Sequence, residues 1–433
     1  MTMTRMLAFL AGLALAAAAH AAPTVQSFGV RINGGASVQP GNVLFVDCAT
    51  ANPDATAQAF LVDQTGHIIH TWKKGSFRWL AKPNGTDGSV IAMHRADAKA
   101  GDLLGSCAAP TGVLQLSRIG WDDAVTNIYH DPACFLTHDF EVIGDGTYLI
   151  LCQQIVTNPS VSTQPFLDDI IRRVDSAGNV MWSWSTAAHY AQFNLSDAGK
   201  QTIMAGQTYY ASSNPSYPSS DVFHTNSIQF IPPNASAASN PAFSPGNIMV
   251  SQRNTNLIFV IDYNSGNVVW QTNSITIGQH TPRVIHANLP GDGHILVLNN
   301  GGIGGYPPQY AFGSSVEEYN PITSTMAWQW TQTPATADGT GNPIENYAFQ
   351  TYYRGSTQRL PNGNTFIDES VWGRFIEVDP TGKIVWEYVW KFGNPIGAAP
   401  NAPDRRIYRA YKVASCWPGC NADSTSAGGS WSW

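Results

Sequence analysis

A chain of 433 residues in which 23 Lys and Arg face 30 Asp and Glu carries a formal charge of −7, and this acidity argues against a nucleic-acid partner. With 43% hydrophobic and only 12% charged residues, it has the apolar content of a large packed core and not that of a disordered chain. The length alone would allow two average domains, but a repeat runs nearly from end to end without a linker, which favours one.

The first element is a leader. Arg5 precedes an apolar stretch from Met6 to Ala19, and Ala19-His20-Ala21 has the small residues of a cleavage site. Residues 1–21 are therefore expected to be a secretory signal, 22–421 one domain and 422–433, rich in Ser and Gly, a flexible tail. The product should be periplasmic or secreted. No later stretch is long and apolar enough to span a membrane, so no stable span is expected once the signal is removed.

Six Gly-led apolar runs follow in chain order: Gly41–Phe45, Gly88–Ile91, Gly146–Ile150, Gly246–Val250, Gly293–Val297 and Gly363–Ile367. Each leads to a turn and another apolar strand. Four turns are clear, Asp63–Gly66 before Trp72, Asp175–Gly178 before Trp182, Asp262–Gly266 before Trp270 and Asp379–Gly382 before Trp386. Two are degenerate, Asp122–Ala124 before Val125 and Asn320–Thr323 before Trp328. Asp and Asn fold back on their own backbone and Gly supplies positive φ, so each unit reads as two β-hairpins. Six four-stranded units that cannot bury both faces alone predict an all-β fold, a six-bladed β-propeller, with the repeated Trp residues packing between blades.

The departures from the repeat fall between Trp182 and Gly246. Polar, turn-rich segments at 214–220 and 234–241 read as insertions lengthening loops of one blade, where specificity is often carried. Six Cys in an exported chain suggest disulfides. Cys416 and Cys420 close a small loop; a redox motif would have a shorter spacer, and no second close pair completes a zinc site. Cys107 and Cys134 lie in turn-like segments and could pair, while Cys48 and Cys152 sit in predicted strands, free or bridged.

In a propeller the first strand of each blade lines the channel, so residues at one position of successive repeats converge on the axis. Upstream of three consecutive Gly-led runs lie His138, His224 and His280, with Arg253 just after the fourth run and Arg354 in the last unit. His286 is the rival for the fifth place. Such a cluster suits an oxyanion, because Arg presents a planar donor fork and His a tunable charge. Three imidazoles also suit a metal, which would make this a metal-dependent hydrolase or lyase. A non-catalytic binding propeller is the third reading.

The segments Phe60–Trp72, His138–Phe140, His224–Ser227, Gly246–Asn254, Gly278–His280, Leu289–Gly293, Asn300–Gly302, Gln358–Asn364 and Tyr408–Tyr411, in this order, resemble the bacterial arylsulfotransferases of the six-bladed type. That resemblance implies sulfuryl transfer from a phenolic sulfate ester to a phenol through a sulfated His, with no nucleotide donor and no other cofactor. No phosphate-binding Gly-Lys-Thr/Ser loop is present. It further implies His280 as nucleophile, with His138, His224, Asn226 and Arg253 around the sulfuryl group, and either His138 or His224 moving the proton. The chain departs from the family pattern in three places. Thr281 replaces an acidic residue, Thr137 a second His, and Asn299 the Asp of an Asp-Asn-Gly.

Overall fold

The computed structural model describes residues 28–47, 57–73, 76–95, 114–206, 221–273, 275–332, 349–390 and 407–420. The expected signal, the tail, the 214–220 segment, Cys48 and Cys107 lie outside them. Six antiparallel sheets are arranged as the blades of a propeller. From the inner strand outward, blade 2 is Ser76–Asn84, Ser89–Arg95, Leu114–Ile119 and Val125–Tyr129; blade 3 is Phe135–Val142, Tyr148–Val156, Phe166–Val174 and Val180–Ser185. Blade 4 is Thr225–Phe230, Ile248–Gln252, Leu257–Ile261 and Val268–Thr272, and blade 5 is His280–Val284, Ile295–Asn299, Ser315–Asn320 and Thr325–Trp330.

The ring is closed at two places. Blade 1 takes its inner strand, Ala410–Val413, from the far end of the chain and adds Asn42–Asp47, Gln58–Val62 and Ile68–Trp72. Blade 6 consists of Ser356–Arg359, Thr365–Glu369, Arg374–Val378 and Ile384–Val389, with Gly29–Asn33 as a fifth, outermost strand. The Gly-led runs are the second strands. Five of the leading glycines, at 88, 146, 246, 293 and 363, have positive φ because the chain reverses there from the inner strand; Gly41 does not, since no hairpin precedes it.

A second strand lies between two neighbouring blades and is buried on both faces, so its sequence is continuously apolar rather than alternating. Leu44, Phe45 and Val46 are fully buried, as are Leu149, Ile150 and Leu151, and Ile295, Val297 and Leu298. The outer hairpins turn on Asx chemistry in all six blades, including the two degenerate ones. Asp63 Oδ1 accepts from the Thr65 and His67 amides, Asp122 Oδ1 from Ala124, Asp175 Oδ1 from Ala177 and Asn179, Asp262 Oδ1 from Ser265, Asn320 Oδ1 from Ile322 and Thr323, and Asp379 Oδ1 from Thr381 and Lys383.

Trp72 and Trp386 are buried between blades, and Trp182 stacks on Tyr263 of the next blade at 5.1 Å. The most regular inter-blade stitch uses two positions the repeat did not single out. Trp184 donates to the Gly266 carbonyl, Trp330 to that of Gly382 and Trp386 to that of Gln64, each reaching the outer turn of the following blade. Cys416 and Cys420 form the expected disulfide. Cys134 bonds to Cys152 rather than to Cys107, because the hairpin between the first two strands of blade 3 brings these two side by side. Among the described residues the connection from blade 3 to blade 4 contains a 3-10 turn, Ala187–Gln192, and a short α-helix, Asp197–Met204, which the sequence pattern did not reveal; Ser196 caps the α-helix by accepting from the Gly199 amide.

Candidate active site

Inner strands carry a local irregularity where the chain enters the channel. Trp79, His138, His224, Thr281 and Arg354, in blades 2 to 6, all have φ between 44° and 66°. Register slips accompany this in blades 2 to 5. A left-handed non-Gly residue costs on the order of 1–3 kcal/mol and re-aims its side chain, and here five of them surround one axis. His138 and His224 occupy this position themselves. In blade 5 the left-handed residue is Thr281, and His280 precedes it by one, so the three histidines are not in strict register.

The histidines nevertheless converge. The His138 and His224 rings meet edge to face with centroids 4.5 Å apart, and His138 stacks on Trp79 at 4.8 Å with Tyr408 at 6.2 Å. Burial, followed by the positive potential of His224 and His280, holds His138 well below the usual imidazole range. Its Nδ1 lies 2.5 Å from Thr137 Oγ1, the position where a second His was expected. Burial and then Arg253 lower His280 in the same way, against the opposing hydrogen bond from Asn300.

His280 has both nitrogens defined. Asn300 Nδ2 donates to the Thr351 and Arg354 carbonyls, which fixes the amide so that Oδ1 accepts from His280 Nδ1 at 2.7 Å. The Arg354 backbone N–H donates to Nε2 at 3.1 Å. The ring is therefore a neutral imidazole protonated at Nδ1, with its Nε2 lone pair directed at an amide. His286, the rival, is six residues further along the same strand direction, roughly 20 Å at 3.3 Å per residue. Its Nδ1 bonds to the Ala287 carbonyl at the other end of the blade.

Arg253 is brought to the site by the hairpin of blade 4, its amide donating to the His224 carbonyl and its Nη1 to Asn254 Oδ1. Asn226 is fully buried: Nδ2 donates to the Gln279 carbonyl at 2.7 Å, tying blade 4 to the strand that carries His280, and Oδ1 has no hydrogen-bond partner. Below the histidines an ionic network crosses the axis. Asp139 bridges Arg409 at 2.7 Å, Lys82 at 3.2 Å and Arg283 at 3.5 Å, and Glu141 pairs with Lys82 and Arg283, both at 2.9 Å. Burial works against the Asp139 charge, but Arg409, Lys82 and Arg283 keep its carboxyl below the ordinary range.

An arylsulfotransferase (ASST) family model matches residues 121–391, which include His138, His224, Asn226, Arg253 and His280. The chain belongs to the arylsulfotransferase family. No curated protein sequence matches it. Among similar solved structures, a protein of unknown function from Bacteroides caccae is 13% identical over 87% of this chain and 99% of that one, with a TM-score of 0.46. AztD from Citrobacter koseri is 11% identical over 87% and 99%, TM-score 0.38, and a catalytically inactive virginiamycin B lyase from Staphylococcus aureus 9% over 84% and 90%, TM-score 0.37. Similarities this low have no bearing on activity.

Within this arylsulfotransferase-family site, several residues were given no role from sequence, although Asn300, Tyr408 and Arg409 lie in the segments that carry the resemblance. Asn300 orients His280, while Asn299 is occupied with the Ile277 amide and Glu317. Asp221 lies 2.5 Å from His224 Nδ1. Trp79 and Tyr408 wall the cluster, and Arg409 anchors it from beneath. Among the described residues no group of three or more His, Cys, Asp or Glu is arranged to hold a metal ion.

Proposed function

We propose that this protein is an exported arylsulfotransferase that moves a sulfuryl group from a phenolic sulfate ester to a phenolic acceptor through a sulfated His280. The observation that carries the reading is the state of His280. It is a buried imidazole with its proton fixed on Nδ1 by Asn300, so the Nε2 lone pair is available for attack on sulfur at neutral pH. The Arg354 N–H now on Nε2 would pass to a sulfuryl oxygen as the N–S bond forms, and Arg253 would carry charge on the other oxygens. Trp79 and Tyr408 give the site an aromatic wall suited to an aryl substrate. Asn226 acts by holding the backbone before His280 rather than by touching the sulfuryl group. Two disulfides fit a compartment outside the cytoplasm, and we assign the protein to the periplasm or the exterior.

Incubation with 4-nitrophenyl sulfate should release 4-nitrophenol beyond one equivalent of protein only when a phenolic acceptor is added. His280→Ala is expected to lower the rate at least about 1,000-fold, as loss of a covalent nucleophile does. Arg253→Ala should cost about 100-fold, the scale for one charge-stabilising donor. Full activity in His280→Ala would overturn the assignment.

A further inference from the structure

Two carboxyls, one fully and one partly buried, stand behind His224, and neither belongs to the family pattern described above. Asp221, at the end of the segment entering blade 4, places Oδ2 2.5 Å from His224 Nδ1, and its main-chain carbonyl is held by Asn254 Nδ2 at 2.7 Å. Asp169 reaches the same place from the third strand of blade 3. One of its oxygens accepts from Gln153 Nε2 at 2.8 Å and the other from the amide of Thr225, the residue after His224, at 2.7 Å. Asp169 is fully buried, and Asp221 Oδ1 is buried without a hydrogen-bond partner.

We propose that Asp221 and Asp169 form a carboxyl pair that fixes His224 as the acid–base group of sulfuryl transfer, Asp221 orienting the ring and Asp169 setting the charge behind it. This rests on the transferase reading given above and assigns the proton, which the sequence left between His138 and His224. His138 has no carboxylate; its Nδ1 faces a threonine hydroxyl, and burial among cations keeps it neutral. His224 has one, so Nδ1–H stays on Asp221 and proton exchange falls to Nε2. Burial and then the neighbouring Asp221 push Asp169 up to about 7, so Asp169 gains its charge as pH rises through neutrality. Charged or titratable groups around His224 include His138 from blade 3, Arg253 from its own blade, His280 from blade 5 and Arg409, which acts on both other histidines.

The His280 Nε2 lone pair attacks sulfur, the S–O(aryl) bond breaks with its electrons on oxygen, and His224 Nε2 gives its proton to that oxygen. The products are a phenol, neutral His224 with Nδ1–H on Asp221, and N-sulfo-His280 with Nδ1–H on Asn300. In the second half His224 Nε2 takes the acceptor's proton and the acceptor oxygen bonds to sulfur as the N–S bond breaks.

The test compares 4-nitrophenyl sulfate, whose leaving phenolate needs little help, with phenyl sulfate, whose phenolate must be protonated, using one acceptor and the intact protein. Asp221→Asn should lower kcat about 100-fold with phenyl sulfate and less than about 10-fold with 4-nitrophenyl sulfate. Because both rates come from one preparation, their ratio is independent of the folded fraction. Asp169→Asn removes the charge that Asp169 gains near neutrality, so the loss of rate with rising pH should set in at lower pH than in the native protein, a shift a merely structural role would not produce. Equal losses on both donors in Asp221→Asn, or superimposable pH profiles for Asp169→Asn, would overturn the proposal. If Asp221→Asn gives no folded protein, the Asp169→Asn profile decides alone. Failure of the underlying transferase reading looks different: the native protein would release phenol from neither donor.

Discussion

His280 acquires its reactivity from one amide. Asn300 accepts from Nδ1 and is itself oriented by two carbonyls, so it selects the tautomer whose Nε2 carries a lone pair. Asn300→Ala removes that selection, allows the proton to move to Nε2, and is expected to lower kcat about 100-fold or more, as a wrong tautomer does elsewhere. Asn300→Asp keeps the acceptor and should retain more activity than the alanine variant. Steady-state rates of the two variants check this, and equal losses would contradict it. The pH dependence follows from the sign of the shift. Burial and Arg253 lower the His280 proton affinity, so protonation of the nucleophile should depress the rate only well below pH 6.5. Asn300 was hard to find in the sequence because it closes a second strand in blade 5, far from the inner-strand position that betrayed the histidines. Asp221 was hidden in irregular chain, three residues before His224.

At the scale of elements, the inner strands and the inter-blade tryptophans do different work. The inner strands depart from β geometry at Trp79, His138, His224, Thr281 and Arg354, all at the site, and the surrounding core has to hold them there. Part of that restraint comes from the outer strands, where Trp386 is buried and donates to the Gln64 carbonyl across the closing seam of the ring. Trp386→Phe keeps most of the buried area and loses the hydrogen bond, about 1 kcal/mol. Trp386→Ala should cost about 3–5 kcal/mol. Urea denaturation of both variants separates the two contributions, and an unchanged midpoint for Trp386→Ala would contradict the stitching role. The repeat made these strands legible because a strand pressed between two blades must be apolar on both faces. The stitch at Trp184 and Trp330 escaped notice because it lies two residues past the Trp that ends each apolar run in the sequence.

For the whole molecule, closure explains what the repeat alone could not show. Blade 1 has its second, third and outer strands near the start of the chain and its inner strand near the end, so Arg409 reaches the axis beside Asp139 only when the ring is shut. Folding and assembly of the site are thereby one event. The charges that plug the axis were readable in principle, since Lys82 and Glu141 each stand three residues after a left-handed position, but isolated charges in apolar strands have no signature until the strands are wrapped around a common axis. The central claim is that this arrangement passes a sulfuryl group through His280. Mixing the protein with 4-nitrophenyl sulfate alone, quenching rapidly and mapping the peptides by mass spectrometry tests it directly. The account predicts one added SO3 group on the peptide containing His280, discharged on adding a phenol. An unmodified His280 peptide alongside acceptor-dependent phenol release, or the added group on another residue, would contradict it.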